Sequence, residues 1–274
     1  MKLIHLSDIH LTTAGASIGG RDPRANFQRA LRHILNDHAD AELMVITGDL
    51  SDWGDRDDYL WLKARLAEFP IKTRMCIGNH DRRATFLDVC PELAAPDGFV
   101  QGVYDSSAGR CVFLDTAQPD THAGRYCATR QSWLEARLTE HAGPFLLFMH
   151  HNPMPTHLAP MDQIRLLDDA VFRQIVHRHR DRIRHIFFGH CHLPLAGSIA
   201  GVAATSLRGT NHASYPLFSE TAMLSASDLP EAYGVAFFGA DYVTVHMVEF
   251  GYTGAIRTEG SPDYAAWNRE SMLR

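Results

Sequence analysis

Five short stretches place polar side chains directly after apolar runs. Asp8 and His10 follow "KLIHL", Asp49 follows "LMVIT", and Asn79, His80 and Asp81 follow "TRMCI". His150 and His151 close "PFLLFMHH", and His190 and His192 follow "RHIFF" in "GHCH". Asp8 and His10 are two apart, as are His190 and His192, so in an extended segment each pair leaves the backbone on one side. Each pair can therefore grip a common centre or two adjoining ones. Asp8, His10, Asp49, Asn79, His150, His190 and His192 make seven donors without a thiolate, a set suited to Zn, Mn, Fe or Co. Seven are too many for one tetrahedral ion and match two ions sharing a carboxylate. A single aspartate or histidine after a strand is commonly a helix cap or a solvated loop residue. Their joint occurrence decides, because two carboxylates packed among imidazoles form a costly cluster unless a cation satisfies them.

The elements that must position these residues are legible as alternating apolar runs and amphipathic stretches, a pattern of βαβ units and a parallel sheet. Strands are predicted at 2–6, 43–47, 73–77, 110–115, 144–150 and 184–188, and helices at 23–38 and 57–69. A helix over 132–141 opens on a Ser132 to Glu135 capping box, and another over 162–179 carries Ile164, Leu167, Val171 and Ile175 along one face. From about 195 onward helical periodicity disappears, and 220–226, 232–240 and 242–250 read as strands. Ligands of open α/β sheets bind beyond the carboxyl ends of the strands, where all five polar stretches fall. Of the 17 histidines, His5 reads as a core residue and His33, His38, His177, His179 and His185 as surface residues. His151 reads as a structural neighbour of His150.

The 274 residues read as one domain, 1–274, with charges interspersed to a net of −6. No basic stripe points to long nucleic acid. The five cysteines form no CxxC pair and read as reduced, in a cytoplasmic protein. No stretch reads as a signal peptide or a membrane span.

In this order, "DIH", "GD", "GNHD", "HH" and "GHCH" resemble the calcineurin-like metallophosphoesterases over roughly residues 1 to 215. The "MHH" form and a late "GTNH" (209–212) are most like the bacterial glycerophosphodiesterases and class III cyclic-nucleotide phosphodiesterases. The resemblance implies an α/β/β/α four-layer sandwich with a β-rich C-terminal cap or dimerisation hairpin, roughly 195–250, and a centre of two divalent ions. Carried over motif by motif, Asp8, His10 and His192 would hold one ion, Asn79, His150 and His190 the other, and Asp49 would bridge them. His80 would lie near the phosphate and leaving group with Asp81 orienting it, and His212 would approach the substrate from the late loop. Asn152, in "MHHNP", departs from the "MHHPP" of the most similar relatives.

The implied reaction is direct hydrolysis of a small phosphodiester by metal-activated water. A glycerophosphodiester is the first expectation and a cyclic nucleotide the alternative, ahead of a phosphomonoester or a non-catalytic scaffold. Arg21, Arg82, Arg83 and Arg208 lie near the motifs and are candidates to balance substrate charge. Expected partners are the small substrate and further copies of the chain, in a homodimer or larger homo-oligomer, with no membrane and no long nucleic acid.

Overall fold

The computed structural model describes residues 1–257, so the end of the expected single domain, 258–274, lies outside the described residues. The chain begins β1 (Lys2–Leu6), α1 (Pro23–His38), β2 (Leu43–Thr47), α2 (Arg56–Ala67), β3 (Thr73–Cys76), α3 (Arg83–Val89). Asp22 caps α1 by accepting from the Arg24 and Ala25 amides, with Pro23 in the first turn, where its fixed φ and missing N–H cost nothing. It continues β4 (Gly102–Ser106), β5 (Gly109–Phe113), α4 (Ala128–Thr139), β6 (Phe145–Phe148), α5 (Ala159–Gln163), α6 (Asp169–His179) and β7 (Ile183–Phe187). Six further strands are β8 (Leu195–Ile199), β9 (Val202–Ser206), β10 (Ala213–Ser214), β11 (Ala226–Ser227), β12 (Tyr233–Phe238) and β13 (Val243–Val248).

Two sheets result. The first has the order β13-β12-β1-β2-β3 and the second β4-β5-β6-β7-β9-β8. β1, β2 and β3 run parallel, as do β5, β6, β7 and β9. Strand alternation then assigns the layers. Ile4 and Leu6 of β1 pack with Phe27, Leu31 and Ile34 of α1. Leu3, Val45 and Cys76 turn the other way, onto Cys111, Phe113, Phe148 and Phe187 of the second sheet. Val112, Leu147 and Ile186 complete the far side against Leu134, Leu138, Phe172 and Ile175. The architecture is the α/β/β/α sandwich, with one core between the sheets and one under each helical layer.

Four local readings are corrected. The helix expected at 132–141 starts at Ala128, because Arg130 is drawn inside to donate to the Asp115 and Ala117 carbonyls at 2.9 and 3.0 Å. Arg130, Leu134 and Leu138 thus form one buried stripe, and Ser132 lies within the helix rather than at its cap. The helix expected at 162–179 is two, α5 and α6, because residues 164–168 leave it. Leu166 bridges Gly124 and its amide donates to the Asn152 carbonyl at 3.2 Å, while the Asp168 carboxylate accepts from the Tyr126 amide at 2.7 Å. Residues 220–225 form a bend and not a strand, since one Glu220 carboxylate oxygen accepts from the amides of Thr221, Ala222 and Met223. His185 is buried rather than on the surface, bonded to Thr205 Oγ1 at 2.9 Å with its ring 4.4 Å from that of Phe187.

The β-rich segment divides between roles. β8 and β9 extend the second sheet, and β12 and β13 extend the first. Only the β10–β11 ribbon and its 215–225 loop stand apart from both sheets.

Candidate metal centre and its cleft

Asp8, His10, Asp49, His190 and His192 all have positive φ, from 46° to 69°. Such left-handed residues cost roughly 1–2 kcal/mol each outside glycine. The surrounding backbone holds them there. The Asp8 amide donates to the Gly48 carbonyl at 3.1 Å, that of His10 to Asp49 at 2.9 Å and that of Gly189 to His150 at 2.9 Å. β1, β2 and β7 therefore each end in a sharp turn that carries polar side chains at the sheet edge.

The turns bring all seven expected donors together. Ligand atoms of Asp8, His10, Asp49 and His192 lie within 4.8 Å of one another and could hold a metal ion. The His10 and His192 Nε2 atoms are 3.2 Å apart. Beside them, His150 Nε2 is 3.0 Å from Asn79 Oδ1 and 3.2 Å from His190 Nδ1. Asp49 stands between the groups, its Oδ2 lying 3.6 Å from His10 Nε2 and 3.4 Å from His150 Nε2.

These donors fit a divalent cation on two grounds. First, three of the four imidazoles have their other nitrogen occupied: His10 Nδ1 by Asp52 Oδ1 at 2.9 Å, His150 Nδ1 by the Thr47 carbonyl at 2.8 Å and His192 Nδ1 by the His212 carbonyl at 3.2 Å. The lone pairs left over converge, and Asp8 Oδ2 is buried without a hydrogen-bond partner. Second, the protein alone balances its two buried carboxylates with imidazolium charge. Burial opposes ionisation of Asp49, but the His150 charge outweighs it and holds Asp49 well below the carboxylate range. Burial likewise opposes a charge on His150, yet Asp49 drives it up to about 9. Asp8 is held low and His192 raised by the same reciprocal balance. A divalent cation would replace those protons and meet the lone pairs directly.

His80 and His212 line the same cleft. His80 Nδ1 donates to the Asp52 carbonyl at 2.9 Å, and the His212 ring lies 4.8 Å from that of His10 and 4.3 Å from that of His192. Asp81 is placed differently from the expectation. Its carboxylate accepts from the amides of Gly78, Leu50 and Ser51 and from the Tyr59 hydroxyl, with no hydrogen bond to His80. It braces the turn instead of orienting the imidazole. His151 is buried, with Nδ1 at 2.7 Å from Thr116 Oγ1 and Nε2 at 3.2 Å from the His122 carbonyl, so both its nitrogens are engaged by the fold.

Two cleft residues escaped the sequence reading. Asp52 meets His10 and His80, and His122 Nδ1 accepts from Asn79 Nδ2 at 2.8 Å. Asp52 has a weak signal, lying three residues after Asp49 in "GDLSDWGD". His122 has none, being a lone histidine in the loop between β5 and α4.

The cleft has a volume of about 600 Å³. Besides the histidines it is lined by Pro160, Met161 and Ile164 from the α5 region and Ala222, Met223 and Leu224 from the ribbon loop, and no lysine or arginine lines it among the described residues. The candidate arginines are engaged elsewhere. Arg83 grips Asp115 at 2.7 and 2.9 Å, Arg208 pairs with Glu249 and Arg21 with Glu231, and Arg82 is absent from the lining.

A buried aspartate–histidine cluster at the carboxyl ends of two facing sheets defines a metal-dependent ester hydrolase of the phosphoesterase class. The profile of the calcineurin-like phosphoesterases matches residues 1–194, and the chain belongs to that family. It is a metal-dependent phosphoesterase. The chain is 34% identical to a probable cyclic nucleotide phosphodiesterase of Rhodopseudomonas palustris over 93% of its own length and 95% of that protein. It is 29% identical to the glycerophosphodiester phosphodiesterase GpdQ of Enterobacter lignolyticus, covering 70% of this chain and 71% of the relative. The fold is shared with a dimetal phosphatase from Danio rerio at a TM-score of 0.69 and 14% identity, over 91% of this chain and 96% of the other. No helix among the described residues is long and apolar enough to cross a membrane.

Proposed function

We propose that the chain hydrolyses small phosphodiesters that carry an apolar, planar substituent, of which a cyclic nucleotide is the type. One observation carries this reading: the cleft that holds the donor cluster is lined beside it largely by apolar side chains of the α5 region and the ribbon loop, and by no cationic side chain among the described residues. A monoester dianion brings a second charge that favours extra cations, whereas a diester carries one. Met161, Ile164, Met223 and Leu224 offer a base the soft, polarisable surface that thioethers and aliphatic side chains give aromatic rings. A glycerophosphodiester is the second reading, favoured by the polar Gln163, Ser214 and Ser225 that also line the cleft.

In the proposed centre Asp8, His10 and His192 would hold one divalent ion, Asn79, His150 and His190 the other, and Asp49 would serve both. When bound, such ions supply Lewis-acid polarisation of the phosphoryl group and activation of water. The chain's own residues do the rest. Asp49 Oδ1 accepts from the His80 amide at 3.0 Å, which fixes the carboxylate that faces both groups. With His80 Nδ1 held by the Asp52 carbonyl, its Nε2 is the nitrogen left for the departing oxygen. His212 Nδ1 lies 3.3 Å from Asn211 Nδ2 and accepts there, and burial pushes the ring down to about 2. It therefore acts as a neutral Nε2–H donor to phosphoryl oxygen and not as a proton source. The reaction is direct in-line hydrolysis without an enzyme ester.

The test reloads metal-stripped protein separately with Mn, Fe, Zn and Co, and compares bis(p-nitrophenyl) phosphate with p-nitrophenyl phosphate, then cyclic AMP with glycerophosphoethanolamine. The diester should be preferred with every active metal, and Met223→Ser should raise KM for cyclic AMP about tenfold, as expected if the base covers the Met223 side chain, which stands exposed in the cleft. Preference for the monoester overturns the diester reading. An unchanged cyclic AMP KM in Met223→Ser overturns the apolar-wall argument.

A further inference from the structure

Resting on the proposed metal centre, we infer that the chain also hydrolyses acyclic phosphodiesters in which one ester alcohol carries an unbranched alkyl chain, and that the ribbon loop binds that chain. A second, narrow cavity of about 20 Å³ adjoins the cleft and shares Pro160, Met161, Met223 and Leu224 with it. It adds Leu158, Leu193, Tyr215 and Leu217, and its remaining lining residues, Ser214 and Ser225, are uncharged. Room of this size holds about one or two water-sized groups. A methylene chain can thread it and a purine ring cannot. The cleft itself, at about 600 Å³, keeps space for the phosphate and the other alcohol.

The surface around this slot favours the same occupant. Tyr215, Leu217, Phe218, Met223 and Leu224 are 44% to 71% exposed, on a ribbon that belongs to neither large sheet. A contiguous exposed apolar patch of this kind marks a binding surface. Glu220 is the one charged residue from Ala213 to Ser227, and its carboxylate accepts from the amides of its own loop. With no lysine or arginine, the segment offers nothing to an anionic substituent or to anionic lipid headgroups. Continuity with the donor cleft then selects a chain attached to the scissile phosphate over a free apolar molecule. Hydrolysis consumes one water. Its oxygen bonds to phosphorus, the bond from phosphorus to the second alcohol breaks, one hydrogen leaves on that alcohol, and the other goes to the alkyl monoester.

The test follows release of 4-nitrophenol from the 4-nitrophenyl esters of methyl, butyl and hexyl phosphate, all below micelle-forming concentrations, by the Mn²⁺-loaded protein. Each fully buried methylene is worth about fourfold, so with one or two in the slot kcat/KM should rise about tenfold from methyl to hexyl, through KM. In Leu217→Ser the hexyl-to-methyl ratio should fall about fivefold, since Leu217 is already half-covered by the fold. General damage would lower both esters alike and leave that ratio unaltered. Tyr215→Ser repeats the measurement should Leu217→Ser fail to fold. Calorimetry reads binding apart from turnover: hexyl phosphate, the product, should bind more tightly than methyl phosphate and with a more negative heat-capacity change. A flat chain-length dependence in wild type, or an unaltered ratio in the folded variants, overturns the inference, and a dimer seen by light scattering would then assign the patch to a second copy of the chain. Failure to hydrolyse even the methyl ester under any metal would instead overturn the metal-centre reading, and this inference with it.

Discussion

Gly78 tests the geometry of the centre without touching a donor. It has no charge and its φ lies outside the left-handed region, so alanine meets no backbone penalty of its own. A Cβ there would nevertheless stand 2.5 Å from the Asp49 amide nitrogen and 2.8 Å from His150 Cε1, and closest of all to the Asp49 carboxylate. The amide is backbone locked in the β2 turn and cannot yield cheaply. Restoring ordinary contact moves the Asp49 carboxylate, the His150 ring or the Asn79 turn by about 1 Å, a displacement that can cost on the order of 100-fold in rate. At about 1.4 kcal/mol per decade this is about 2.7 kcal/mol of transition-state stabilisation. Overpacking adds a stability loss of about 1–3 kcal/mol. The assay is kcat/KM for bis(p-nitrophenyl) phosphate under excess Mn²⁺ beside metal content by mass spectrometry, for Gly78→Ala and for Gly102→Ala, where an added Cβ meets nothing within 4 Å. Gly102→Ala should behave as wild type. Near-normal turnover and full metal content in Gly78→Ala would refute the placement of Asp49 and His150 about the Gly78 turn.

Two further outcomes are expected. Burial pushes His5 down to about 3 and His185 down to about 4, so the folded protein keeps both neutral while the unfolded chain protonates them below 6.5. The unfolded state then binds more protons, and stability rises with pH between about 4 and 6.5 by about 1.4 kcal/mol per unit for each histidine. Urea titrations of metal-free His185→Gln across that window should show a slope shallower by one such increment, and an unaltered slope would contradict a neutral buried His185. Arg83→Ala should cost about 3–5 kcal/mol, since it strips the bidentate partner from the fully buried Asp115; a melting temperature within a degree or two of wild type would remove Arg83 from the list of structural ties.

The donors were readable because each follows a local signal, an apolar strand that stops abruptly at a polar residue. The parallel order of β1, β2 and β3, and of β6 and β7, then guarantees that such stops share an edge within each sheet. Pattern could not show which polar neighbour serves which ring. Asp81 is adjacent to His80 in sequence yet faces the Gly78, Leu50 and Ser51 amides, while Asp52, distant in sequence, meets both His10 and His80. The break between α5 and α6 was equally hidden, because apolar periodicity runs through it and only the pairing of Leu166 with Gly124 draws the backbone away. His185 looked like a surface residue for want of any mark in the sequence that the space between the sheets accepts imidazoles.

That shared space bears on how the protein comes apart. Asp8, His10, Asp49 and Asn79 follow strands of the first sheet, whereas His150, His190 and His192 follow strands of the second. Each proposed ion would thus be ligated from both halves and act as a clasp across the seam lined by Leu3, Val45, Phe148 and Phe187. No ligand set is complete until the halves have docked, so binding free energy becomes docking free energy. A chelator should therefore loosen the seam before either sheet unravels, and a cavity cut into the seam should register first as a protein that lets go of its metal.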